Sequence, residues 1–107
     1  MPKKYETLVI QVDGSEEIIS LDKEPQLRFF QNLVGGYIQV VPCVWKDDLK
    51  EMIINEEGKF QGFEINLKAS KSFEMTRQHG YALLPGDHIV GIALIPLNYE
   101  VNFGVSG

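Results

Sequence analysis

At 107 residues, with 44% apolar and 23% charged side chains, the chain has the size of one domain (1–107) built on a single modest core. Its formal charge of -5 excludes broad, non-specific nucleic-acid binding, which needs a basic surface to release counterions. Its one cysteine, Cys43, excludes an internal disulfide and fits a reducing compartment.

Met1-Pro2-Lys3-Lys4-Tyr5-Glu6 lacks the apolar run of a secretory leader, and no stretch approaches the roughly 18 apolar residues of a membrane span. A cytoplasmic protein without membrane contact is expected. Glu6 to Val12 then alternates, with Leu8, Ile10 and Val12 on one side, which predicts a strand. Asp13-Gly14 is a two-residue hairpin signal, and Glu16 to Leu21 is the returning strand. Asp22 suits a helix N-cap, and Glu24 and Pro25 suit a first turn. Leu27, Phe30, Leu33 and Val34 make the apolar stripe of a helix over about residues 24–34. Gly35-Gly36 closes it, because glycine takes the left-handed conformation without steric cost.

Tyr37 to Val44 reads as a strand apolar on both faces, hence interior, with its pairing interrupted at Pro42. Trp45-Lys46-Asp47-Asp48 is a connection to a strand over Leu49 to Asn55. Asn55-Glu56-Glu57-Gly58 has the residues of a type I turn, with Lys59 to Phe63 predicted to return as a strand. Glu64 to Tyr81 carries no convincing stripe and reads as a short helix capped by Ser70 or Ser72, or as an ordered loop. Leu84-Pro85-Gly86-Asp87 is a tight turn. His88 to Ile95 is a central strand covered on both faces, with a notch at Gly91 and a stop at Pro96. Leu97, Tyr99, Val101, Phe103 and Val105 alternate as a last strand, pairing within the chain or with a second copy. The sum is an α+β domain: a mostly antiparallel sheet of five to seven strands with one main helix, about residues 24–34, packed on one face.

Four blocks of the chain resemble a family of small proteins carried by phages, plasmids and other mobile elements, known mainly as a domain of unknown function. They are Leu33-Val34-Gly35-Gly36-Tyr37-Ile38-Gln39-Val40-Val41, Asn55-Glu56-Glu57-Gly58-Lys59, Asn66-Leu67-Lys68-Ala69 and Gly86-Asp87-His88-Ile89-Val90-Gly91. Phe63-Glu64-Ile65 departs from the Leu-Pro stretch that usually precedes the third block. The resemblance implies an accessory protein of a mobile element and implies no reaction.

Asn66, Lys68, Asp87, His88 and Gly91 are the candidate ligand-binding set, offering amide, ammonium and imidazole groups beside a backbone notch. Tyr99, Val101 and Phe103 are a candidate partner or self-association surface. Asn55, Glu56 and Glu57 are explained by turn geometry, and no ligand spacing marks a metal site or any cofactor. His79, His88 and Cys43 show no zinc or nucleophile–base spacing. The expected function is therefore non-catalytic binding of a host protein or a small signalling molecule, in host takeover or counter-defence. Two alternatives stay open: a nucleotide-sequestering protein using Asn66, Lys68 and aromatic stacking, and a small metal-dependent hydrolase around Glu56, Glu57 and Asp87.

Overall fold

A computed structural model describes residues 3–79 and 88–101. The chain runs β1 (Tyr5–Ile10), β2 (Glu16–Leu21), α1 (Leu27–Val34), β3 (Ile38–Trp45), β4 (Asp48–Asn55), α2 (Leu67–Glu74), a 3-10 turn (Met75–His79) and β5 (Ala93–Pro96). The five strands form one sheet in the order β2-β1-β5-β4-β3, and every pairing is antiparallel. This is an α+β fold.

Strand alternation sorts the apolar residues to two faces. Leu8, Ile10, Met52, Ile54, Ala93 and Ile95 pack beneath α2 with Ala69 and Phe73. Val9, Ile53 and Leu94 point the other way and pack beneath α1 with Phe30 and Val34. The sheet thus carries a helix on each face.

The β1–β2 hairpin forms where Asp13-Gly14 places it. Asp13 Oδ1 accepts from the Ser15 backbone N–H at 2.9 Å and from Ser15 Oγ at 2.7 Å, and Gly14 has φ +91°. These two bonds hold the Asp13 carboxyl below its usual pKa. The β3–β4 connection is tighter than its sequence suggests. Trp45 pairs with Asp48, and Lys46 and Asp47 both have positive φ (51° and 68°), the signature of a type I′ turn.

Several expectations are corrected. The helix starts at Leu27, with Gln26 rather than Asp22 as N-cap and no side-chain capping bond. Pro25 is buried ahead of it. β3 is an edge strand, not an interior one, and the edge position is what tolerates Pro42 opposite Glu51. Residues 59–63 form turns instead of a returning strand: Gln61 N donates to Glu57 O, Gly62 N to Lys59 O, and Phe63 N to Gly58 O. The stretch read as helix or loop contains α2, capped by Asn66 rather than by Ser70 or Ser72. Pro96 belongs to β5, where it lies opposite Thr7. Leu97 to Val101 is irregular rather than a strand. The Leu84–Asp87 turn and residues beyond Val101 lie outside the described residues.

Candidate functional site

Asn55, the last residue of β4, joins three segments with one buried side chain, 5% exposed. Its Nδ2 donates to the carbonyl of Val34 at 3.1 Å, and its Oδ1 accepts from the Glu57 N–H at 2.7 Å. Val34 is the final residue of α1, whose carbonyl has no partner within the helix. The helix ends there because Gly35 takes φ +84°, and both glycine N–H groups turn back to the Gln31 carbonyl, at 2.8 and 3.1 Å. A Cβ on Gly36 would sit 3.1 Å from Asn55 Nδ2, so the second glycine makes room for the asparagine. Tyr37 O then accepts from the Glu56 N–H at 2.9 Å, tying the start of β3 to the turn.

The same packing continues past the turn. A Cβ on Gly58 would lie 2.8 Å from Val90, and one on Gly91, at φ +76°, would lie 2.8 Å from the Phe63 ring. The notch expected at Gly91 is therefore filled by Phe63. Asn66 Nδ2 donates to Gly91 O at 2.9 Å and to Ile10 O at 3.0 Å, while its Oδ1 accepts from Ala69 N at 3.0 Å and caps α2. Asn66 N donates to Ile89 O. One asparagine thus ties β1, α2 and the lead-in to β5.

Two clefts flank the Asn55 turn. The larger, about 490 Å³, is lined by Gln31, Asn32, Gly35, Tyr37, Glu57 and Gln61 among others. The smaller, about 180 Å³, includes Gln39, Glu56, Lys59, Phe60, His88 and Val90. Tyr37 is 67% exposed and Phe60 93% exposed. A third cleft of about 620 Å³ lies away from the turn, between the first half of β4 and residues 96–100. Lys50 Nζ bridges it to Leu97 O at 3.2 Å.

The predicted ligand set does not converge on one opening. Asn66 and Gly91 meet, but inside the protein. Lys68 reaches the β1–β2 turn, donating to Gly14 O at 2.7 Å and pairing with Glu16 at 2.6 Å. His88 lines the smaller cleft. Asp87 lies outside the described residues. Tyr99 packs inward: its hydroxyl is 2.6 Å from Thr7 Oγ1, its ring meets Tyr5 edge-on, and burial raises its pKa. Val101 packs on the α1-side core, and Phe103 lies outside the described residues. Cys43 is wholly buried, and burial pushes its thiol up to about 11. Among the described residues no three His, Cys, Asp or Glu side chains stand close enough to hold a metal ion.

Sequence reasoning missed Phe60, and with it the pairing of exposed Tyr37 and Phe60 at this turn. The available signal was Tyr37 itself, the residue that leaves the glycine hinge before β3 begins to pair.

A family model described as Domain of unknown function (DUF3846) matches residues 5–94. The chain belongs to the DUF3846 family. No curated protein and no solved structure matches it. In this DUF3846 domain the four blocks that carry the sequence resemblance are in mutual contact. Val34 and Gly36 meet Asn55, Gly58 meets Val90, and Asn66 bonds to Ile89 and Gly91. Gly35, Gly36, Gly58, Gly91, Asn55 and Asn66 are consumed in locking this end of the sheet. What the locked unit leaves outside is the rim: Tyr37, Glu56, Glu57, Lys59 and Phe60.

Proposed function

We propose that this DUF3846 domain is a non-catalytic accessory protein of a mobile genetic element, and that it binds a partner protein through the rim of the Asn55 turn. The supporting observation is the pair of exposed aromatic side chains, Tyr37 and Phe60, on either side of a turn whose backbone is fixed by Asn55 and Gly58. Large aromatics on a rigid mount lose little entropy on docking and are enriched among residues that dominate binding energy. The surrounding carboxylates of Glu56 and Glu57, on a chain of net charge -5, favour a partner with a basic patch. A host target, in takeover or counter-defence, fits the sequence resemblance.

The test is quantitative capture. The full chain is immobilised, the protein it retains from host lysate is purified, and binding is measured by calorimetry. Tyr37→Ala and Phe60→Ser are each expected to weaken the purified complex by about tenfold or more, the behaviour of interface anchors. Affinity unchanged by both substitutions overturns this location for the binding surface.

A further inference from the structure

Resting on that binding reading, we infer that the cleft at the C-terminal end of α1 receives a guanidinium group, the side chain of an arginine presented by the partner polypeptide. The cleft's sign is the first reason. The last turn of α1 holds no basic residue, and Glu57 adds a carboxylate to the wall. Among the described residues no lysine or arginine lines the cleft; Lys59 lines the neighbouring one.

Shape and chemistry narrow the cation further. The side-chain amides of Gln31, Asn32 and Gln61 line the opening, each with a carbonyl acceptor to offer, and Glu57 has a two-oxygen acceptor. A guanidinium has five donors in a planar fork and can meet several of these at once, where an ammonium is a compact point charge. The Tyr37 ring, two-thirds exposed at the margin, supplies a flat face on which a planar cation stacks. The volume of about 490 Å³ admits a whole arginine side chain. The cleft opens beside the turn that carries Phe60, so a partner backbone running over Phe60 is placed to drop a side chain into it.

The full chain, labelled with ¹⁵N, is titrated with a blocked Gly-Gly-Arg-Gly-Gly peptide, the same peptide carrying lysine or citrulline in place of arginine, and free argininamide. Saturable shifts at Gly35, Gly36, Tyr37 and residues 55–61 are expected with the arginine peptide, weaker with lysine and absent with neutral, isosteric citrulline. Glu57→Gln and Tyr37→Leu are each expected to raise the Kd about two- to fivefold, the range of a surface ion pair or cation–π contact. No saturable shift, equal binding of the citrulline peptide, or a Kd unmoved by both substitutions overturns the assignment. Argininamide binding as tightly as the peptide overturns the polypeptide source. If the arginine peptide fails while Tyr37→Ala still weakens the partner complex, the guanidinium assignment falls and the binding reading stands. If Tyr37→Ala and Phe60→Ser also leave that complex intact, the binding reading falls too.

Discussion

The two faces of the sheet each carry an eight-residue helix, and each helix is pinned by a buried asparagine, yet the Asn66 junction is sealed and the Asn55 junction is open at its edge. On the α2 face, Asn66 holds the start of the helix. Its amide hydrogens go to Ile10 and Gly91, its oxygen goes to Ala69, and nothing of it reaches solvent. On the α1 face, Asn55 holds the end of the helix and also sets the turn, and the cleft between them stays open. A buried amide thus does equivalent structural work in both places, and the difference in access comes from what surrounds it. Buried neighbours such as Ile10, Ala69 and Gly91 enclose Asn66, whereas the exposed Tyr37 and Glu57 margin the cleft beside Asn55.

The sharpest way to break this comparison is at Asn66. Asn66→Asp keeps the shape and the α2 cap but sets a carboxylate oxygen against the Ile10 and Gly91 carbonyls. The expected loss is about 4 kcal/mol at neutral pH, read from urea unfolding, because two buried acceptors lose their donor and a charge is buried beside them. The introduced carboxyl prefers its protonated, donating form in the fold, so its folded pKa is raised. The defect therefore narrows below the unfolded pKa and is largest above the folded one. Asn55→Ala is the matched change at the open junction. It frees one buried helix-end carbonyl and one half-buried turn N–H, with no charge left behind, and about 2 kcal/mol is expected. Equal losses at the two sites would erase the distinction between a sealed and an open junction.

Much of this contrast is absent from the residue pattern, for physical reasons. The β1–β2 hairpin, the stop of α1 at Gly35, the turn at Asn55 and the central place of β5 follow from local rules: positive φ at glycine, alternation, and unbroken apolar runs. α2 follows from almost none. Its buried stripe is Ala69 and Phe73, with Ser72 turned inward to donate to Val44 O at 2.6 Å and Leu67 left exposed, so the period-3.6 signal is faint. β3 misleads in the opposite sense. Val40 lies on the α1 side of the sheet, opposite Ile53, yet stays exposed, and two apolar faces imitate an interior strand. At the site, the glycines and asparagines were legible as turn residues, but their joint packing is long-range: Asn55 to Val34 spans 21 positions, and Asn66 to Ile10 spans 56.

A third prediction probes the α2-side core through Cys43. Its folded pKa of about 11 stands above the ordinary value of 9.0, so the fold favours the neutral thiol. The stabilisation is fully present below about pH 9 and is lost as pH rises through 11. Roughly 2 kcal/mol should disappear across that window. Tyr99, also raised by burial, pulls in the same direction. Urea midpoints at pH 8, 9.5 and 10.5 measure the slope, and Cys43→Ala should flatten it. A wild-type slope no steeper than that of the variant would mean that water reaches the thiol and that Cys43 is not closed off beneath α2.

The smallest expected effect on stability is the one that separates the faces most cleanly. Tyr37→Ala and Phe60→Ser remove large apolar side chains, yet both groups are mostly in water already and little transfer energy is at stake. Each should move the unfolding free energy by no more than about 0.5 kcal/mol, the ordinary range for surface positions. A loss of 2 kcal/mol or more in either would show that the ring packs against the turn and belongs to the fold. Near-neutral stability combined with a weakened complex would leave binding as the reason these aromatics stand in solvent. An acidic domain gains nothing in solubility from two rings at the mouth of its clefts, so under the proposed binding role their position is set by what they touch in a partner and by nothing they hold together in the chain.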